Sequence, residues 1–259
     1  MNHGLDPAQL IRIEDAGINA SAPREQLWVD GWLVRFSPGK AKRARCVQAV
    51  APGRLGLEAR IARCLEIYER TRLRACFRIT PFSQPPDLDI RLAELGMERI
   101  DDTRVMVGPM HPAAAPGAVA APLDIQWQAT DPAAFAEWVG AQRGSAPTER
   151  SAHARRLRDA PVPHHAVLAV DASGAPVAGG QVAIESDRAG LYDIFTVDAA
   201  RGRGVAHALC HHLLDIAMRE GARTAYLQVD AGNDAARRVY RRLGFVDAYA
   251  YHYRSPPAP

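Results

Sequence analysis

The chain has 259 residues, 47% of them apolar and 24% charged, with a formal net charge of +3. This is the balance of an ordinary folded domain, and it excludes collagenous, low-complexity and intrinsically disordered chains. Nowhere do about 18 apolar residues run together, so no membrane partner is expected. The segment Met1–Gln9 lacks a basic stretch followed by an apolar core, and the expected location is the cytoplasm.

The length allows one large domain or two small ones. Of the 32 basic residues only Lys40 and Lys42 are lysines; the charge balance demands no nucleic-acid partner, and none is expected. The locally basic run Arg35, Lys40, Lys42, Arg43 and Arg45 surrounds Ser37-Pro38-Gly39 and reads as a solvated hairpin turn. Cys46, Cys64, Cys76 and Cys210 lie far apart with no C-x-x-C pair, which fits buried, reduced thiols.

In chain order, hydrophobic periodicity predicts strands near Trp32–Phe36 and Arg45–Val50 and a helix from about Leu57 to Arg72. It then predicts a strand at Cys76–Thr80, a helix at Leu88–Leu95 and a strand at Thr103–Val107. A proline-, glycine- and alanine-rich linker is expected at 110–122. Beyond it come a strand at 123–128, helices beginning near Asp131-Pro132 and Thr148, and strands at Ala166–Val170 and Val177–Ile184. The predicted class is α/β (α+β), with helices packed on a mixed sheet.

The chemistry is concentrated after that. A strand-like run Leu191–Val197 leads through Asp198-Ala-Ala-Arg-Gly-Arg-Gly204 into an amphipathic helix whose apolar stripe is Val205, Leu209, Leu213 and Ile216. Two loop glycines let backbone amides approach a ligand, and the first amides of the helix have no intrahelical partner. Arg201 and Arg203 add donors. The loop Arg201, Gly202, Arg203, Gly204, Val205, Ala206 is therefore an anion cradle. It lacks the lysine and hydroxyl of a triphosphate loop and lacks G-x-G-x-x-G.

Arg201-x-x-Gly204-x-Ala206 resembles the [Q/R]-x-x-G-x-[G/A] motif with which GNAT N-acetyltransferases hold the diphosphate of acetyl-coenzyme A. Twenty-nine residues beyond Gly204 comes Asn233, followed by Tyr240 and Leu243-Gly244-Phe245, which resembles the same family's second signature. The resemblance covers about residues 123–259 and implies a catalytic GNAT domain there. Leu95-Gly96-Met97 echoes Leu243-Gly244-Phe245, so residues 1–109 resemble a second, degenerate module of the bacterial tandem-GNAT kind: they lack the cradle, and Leu92 stands where Tyr240 does. Each module is expected to be a mixed, mostly antiparallel twisted sheet flanked by helices.

The resemblance implies acetyl-coenzyme A as acyl donor, a primary amine of a small molecule or polypeptide as acceptor, and no metal. It places the pantetheine arm along Phe195, Thr196 and Val197, against Leu227–Val229, with a further contact from Asn233. Tyr240 matches the tyrosine that protonates the departing sulfur; the alternative, with Ala236 and Leu243 on the same helical face, is a core aromatic with a satisfied hydroxyl. Asn233 also suits an N-cap. Asp193 lies where some family members place a general base, or it is an acid paired with arginine; Glu185 and Asp230 are weaker candidates. His207, Cys210 and His211 have no accompanying ligand set, and Tyr249, Tyr251 and Tyr253 read as sheet packing. A non-catalytic acyl-coenzyme A sensor or scaffold would keep the cradle and could dispense with Tyr240 and Asp193.

Overall fold

The computed structural model describes residues 4–110 and 125–257. The expected linker at 110–122 therefore lies outside the described residues except for Met110, as do Leu123 and Asp124 of the expected strand.

Helix α1 (Pro7–Asn19) opens the fold. Its periodicity is weak, but its start is written in the sequence: the Asp6 carboxylate accepts from the Gln9 amide at 2.8 Å, the Gln9 side chain accepts from the Asp6 amide at 2.9 Å, and Pro7 presets the first turn. Then come β1 (Gln26–Val29), β2 (Trp32–Arg35), β3 (Val47–Gln48), α2 (Leu57–Thr71), β4 (Phe77–Ile79), α3 (Leu88–Glu94) and β5 (Glu98–Pro109). The second half supplies β6 (Gln126–Thr130), α4 (Pro132–Gln142), α5 (Pro147–Arg158), β7 (His164–Val170), β8 (Pro176–Glu185) and β9 (Arg188–Thr196). It ends with α6 (Val205–Arg219), β10 (Thr224–Asp230), α7 (Asp234–Arg242) and β11 (Val246–Ser255).

All these strands join one sheet in the order β1-β2-β3-β4-β11-β5-β10-β9-β8-β7-β6. The order is reciprocal. β5, from the first half, pairs antiparallel with β10 on one side and β11 on the other; β11, from the second half, pairs antiparallel with β5 and β4. Each half thus places its last strand inside the other's crossover, β4-α3-β5 around β11 and β10-α7-β11 around β5. The two crossovers also turn alike: Met97 N–H donates to Leu92 and Phe245 N–H to Tyr240, both at 3.0 Å, and Gly96 and Gly244 take the positive φ that closes each helix.

Alternation along the central strands divides the core. Leu191, Leu227 and Met106 pack with Leu209, Leu213 and Ala217 of α6, while Tyr192, Tyr226 and Val105 pack with Ile13 and Ala16 of α1. The first half has its own core, in which Trp32, Phe77, Ile61, Tyr68 and Leu92 are buried together. All four cysteines are buried and unpaired, and burial pushes the Cys46 thiol up to about 11.

The basic run is not a solvated turn. Arg35 is 1% exposed and donates to the Ile18 carbonyl and the Gln26 side chain, and burial pulls its guanidinium down to about 10. Lys42–Ala44 forms a 3-10 turn, Lys42 pairs with Asp101, and only Lys40 and Ala41 reach fully into solvent among residues 40–46. The turn residues serve tertiary packing here, a contest that local turn preference does not decide.

A buried ion pair ties four elements together. Arg78 of β4 grips Glu14 of α1 through both terminal nitrogens, donates to Gln48 of β3 at 3.3 Å, and lies 3.8 Å from the centre of the Tyr251 ring on β11. Tyr249 donates to the same carboxylate at 2.7 Å. Removing one partner of such a pair strands a buried charge at about 3–5 kcal/mol, whereas removing both is far milder. Glu14→Gln is expected to lower stability by about that amount in urea titrations, and the double variant Glu14→Leu with Arg78→Met to recover most of it.

Candidate active site

Strand β9 leads into a 3-10 turn, Asp198–Ala200, and then into Arg201–Gly204 at the head of α6. Gly202 and Gly204 have φ of +74° and +80°, and a Cβ built at either meets no atom within 4 Å. The loop is therefore open above its backbone, and it needs glycine for conformation rather than for space. Gly204 is the N-cap of α6 with no side-chain acceptor, so the first helical amides face outward unsatisfied. Val205 is buried and fixes the helix start in the core; Ala206 is half-buried. Arg201 folds back to pair with Asp198 at 2.8 Å and to donate to the Thr196 carbonyl at 3.3 Å, while Arg203 is exposed.

Beside this loop the sheet opens. β9 and β10 run parallel and stay paired only from Arg188 with Thr224 to Leu191 with Leu227, although β9 continues to Thr196 and β10 to Asp230. The departure has a local cause. Between Tyr192 and Phe195, two residues of β9 oppose Gly180 alone on β8, a bulge in which Asp193 takes φ +53°. Phe195, Thr196 and Val197 lie beyond the last pair of β9 with β10, Leu191 with Leu227. Thr196 Oγ1 is buried and without a hydrogen-bond partner in the described structure.

Asn233 caps α7, its Oδ1 accepting from the Ala236 amide at 3.1 Å. That helix holds Tyr240 in the α6 core, its ring 6.2 Å from Phe245 and its hydroxyl without a hydrogen bond among the described residues. Burial pushes the Tyr240 phenol well above its ordinary value; the charge of Arg143 works in the opposite sense.

Asp193 turns to the other face of the sheet. Its carboxylate receives Arg143 at 2.7 Å and Gln181 at 2.8 Å, and the His153 Nε2 lies 3.3 Å away. Burial alone would raise its pKa, but His153 and Arg143 hold it well below the usual carboxylate range. Among the alternatives, Glu185 accepts from Asn19 and Asp230 caps its own turn at Gly232. Cys210 is fully buried and His211 lies 3.4 Å from Asp215. Among the described residues no three His, Cys, Asp or Glu side chains gather as a metal site. Tyr249, Tyr251 and Tyr253 are buried packing residues, with Tyr251 donating to Gln228 at 2.8 Å.

Sequence reasoning missed the other wall. A cavity of about 190 Å³ lies between the 37–44 segment of the first half and helices α4 and α5 of the second, with Tyr192, Asp193 and His164 on its sheet side. Arg43, read as part of a solvated turn, lines it. The signal was tertiary: no spacing within 37–44 reveals what packs opposite.

Residues 127–245 match the acetyltransferase (GNAT) family. Over these residues the chain is similar to GNAT-family acetyltransferases. The whole chain is 26% identical over 226 residues, 86% of its length and 89% of the relative's, to the protein described as uncharacterized N-acetyltransferase YobR of Bacillus subtilis. In fold it is similar to a GCN5-related N-acetyltransferase from Kribbella flavida, with a TM-score of 0.67 and 20% identity over 96% of this chain and 95% of that one. It is also similar to a tandem GNAT protein from the clavulanic acid biosynthesis pathway, with a TM-score of 0.62 and 19% identity over 78% and 70% of the two chains. GNAT enzymes use acetyl-coenzyme A as donor, and the open two-glycine loop with its outward amides fits a diphosphate.

His164 gives the fold an acid-sensitive element. Burial first, together with the charge of Arg156, pulls its imidazole down from 6.5 to about 4, while its contact with the Val162 carbonyl at 2.8 Å and the charge of Asp193 oppose the shift. A histidine with a depressed folded pKa takes up a proton on unfolding between the two values, so its contribution is complete above about pH 6.5 and is lost as pH falls toward 4. His164→Asn is expected to flatten that acid slope by roughly 2–3 kcal/mol, read from urea unfolding at stepped pH.

Proposed function

We propose that the protein is an acetyl-coenzyme A-dependent N-acetyltransferase that passes the acetyl group directly to a primary amine of a small molecule or polypeptide. The observation that carries this reading is the parting of β9 from β10 immediately ahead of the two-glycine cradle. It leaves an open wedge along Phe195–Val197 and a diphosphate seat at Arg201–Ala206 on one continuous path. Bound acetyl-coenzyme A supplies an acyl carbon activated by sulfur; the C–N bond forms as the C–S bond breaks, the amine gives up a proton and the sulfur takes one.

Tyr240 is the proposed proton donor to the sulfur. Its raised pKa keeps it protonated at neutral pH but makes it a weaker acid than an ordinary phenol, so it is proposed to hydrogen-bond the departing sulfur and pass its proton as the C–S bond breaks, the tyrosinate being reprotonated by the proton the amine gives up. Asp193 is proposed to serve the amine side. As a carboxylate held ionised by Arg143 and His153 it is a weak proton acceptor, so it acts by orienting the His153 imidazole or a water toward the amine. Asn233 is proposed to add a pantetheine contact beside its capping role.

Residues 1–109 are proposed to be a degenerate GNAT-like module. The shared turn at Leu92–Met97 and Tyr240–Phe245 supports this, and Leu92, fully buried in its own core, has no hydroxyl to offer. Among the described residues no helix is long and apolar enough to cross a membrane. Four cysteines without a disulfide suit the reducing cytoplasm.

Gly204→Glu places a side chain and a like charge in a left-handed cradle position; calorimetry is expected to show loss of acetyl-coenzyme A binding in a folded protein. Tyr240→Phe keeps the ring and removes the hydroxyl. Its turnover in a coenzyme A release assay is expected to fall about 10²–10⁴-fold with coenzyme affinity unchanged. Full turnover would return Tyr240 to the core, and binding without turnover toward any amine would make the wild-type protein an acyl-coenzyme A sensor.

A further inference from the structure

The cavity opposite the cradle contains positive charge that the protein itself does not neutralise. Of its cationic lining residues, Lys40 is exposed to solvent, Arg143 is engaged by Asp193 and Arg150 lies 3.3 Å from Glu137. Arg43 and Arg156 have no carboxylate within 4 Å among the described residues. Both are instead anchored by neutral groups at the end of α1: Arg156 donates to the Ala20 carbonyl at 3.2 Å, and Arg43 lies 3.4 Å from the Ser21 hydroxyl and 3.3 Å from the Tyr251 hydroxyl.

Their neighbours on adjacent residues of one short segment bring the two guanidinium groups to the same wall, and each keeps N–H groups that no described residue accepts. The acids of the cavity are already committed. Asp193 has three partners, and Glu149 accepts from the Ala146 amide at 3.1 Å at the start of α5. His164, on the sheet side, is kept neutral by burial and by Arg156, and adds no negative charge.

Two like charges held together in a partly dry cavity repel: burial first, and then Arg43, depress the pKa of Arg156, and the charge of Asp193, with no ion pair to it, offsets this only in part. Such an arrangement is relieved by an anion, and guanidinium forks bind carboxylate or phosphate through paired, charge-assisted hydrogen bonds. The volume is below the roughly 300–1,000 Å³ of sites for drug-sized ligands, so the group that enters is small.

We infer that Arg43 and Arg156 form an anion subsite of the acceptor pocket, so that the amine acetylated is one that also carries a carboxylate or phosphate group. The inference rests on the N-acetyltransferase reading. The anion lies against Arg43 and Arg156, and the amine points along the sheet past Asp193 and Arg143 toward Phe195. Arg143 joins the two regions, contacting Asp193 and lying 5.9 Å from the centre of the Phe195 ring. The subsite belongs to both halves of the chain, Arg43 from the first and Arg156 from the second, which gives the motif-poor half a role in choosing the acceptor.

The test uses the full chain in two assays. In the first, acetate, malonate and inorganic phosphate are titrated against wild type, Arg43→Gln, Arg156→Gln and Arg156→Lys without donor. The anions are expected to bind wild type and to weaken about 10–100-fold in each variant, with Arg156→Lys keeping the charge and fold but losing the fork. In the second, coenzyme A release is followed with ω-amino acids, aminoalkyl phosphates and uncharged amines of matching length. Wild type is expected to prefer one anionic series by at least about tenfold in kcat/KM, and that series identifies carboxylate or phosphate as the group read. In the Arg156 variants the KM for the preferred acceptor is expected to rise while the KM for acetyl-coenzyme A holds.

Equal use of charged and uncharged amines would overturn the subsite and leave the acetyltransferase reading standing. A rise in acetyl-coenzyme A KM alone would also overturn it, reassigning the arginines to the donor. Anion binding that depends on both arginines, in a protein that acetylates no amine, would sustain the anion site and sink the acetyltransferase reading.

Discussion

The carboxylate of Glu14 is the point on which the two halves converge. It is held by Arg78 of β4 and Tyr249 of β11, so a helix from the chain's start, a strand from the first half and a strand from the second meet at one charge. A buried ion pair contributes little net stability over a well-packed apolar alternative, but it tolerates no misplacement of either partner. It therefore acts as a register mark. With α1 fixed against β4 and β11, the end of that helix delivers Ala20 and Ser21 to the wall where Arg156 and Arg43 are anchored. The geometry of the cavity is inherited from a contact remote from it.

The site divides its labour between the faces of the sheet. On one face α6 and α7 present the glycine cradle and Tyr240; on the other, α4, α5 and the 37–44 segment enclose a charged cavity. The bulge at Asp193 connects them. By inserting a residue opposite Gly180 it separates β9 from β10 and swings a carboxylate toward the cavity. One local irregularity thus accompanies the parting of two strands and turns a carboxylate into the cavity.

The parts of this molecule that were legible in the sequence are those whose cause is local. The cradle needed glycine at positive φ, Asn233 needed to cap α7, and Gly96 and Gly244 needed to end helices; each signal sits within a few residues of its consequence. Alternation placed Asp193 with Phe195, and they do share a face, but through a bulge that also brings Tyr192 there. Helix α1 was not expected from the sequence, although the Asp6, Pro7 and Gln9 cap that starts it is local. The burial of Arg35 and the cavity position of Arg43 depend on elements more than a hundred residues away in places, and local charge pattern gave the opposite expectation. The interleaved strand order has no local signal at all, because hydrogen-bond partners are chosen among strands of equal edge chemistry.

That order has a consequence for how the protein is made. When the first half leaves the ribosome, β4 and β5 have no strand between them, and β11, which must occupy that gap, is synthesised after every other strand of the sheet. A nascent chain of the first half therefore carries three unpaired strand edges, one on β4 and both on β5, a state open to wrong pairing with other chains. Closure waits on sequence separations of well over a hundred residues, which is the regime of slow folding. Holding factors at the tunnel exit, and the pace at which the second half is translated, become part of what determines the yield of this molecule in a cell.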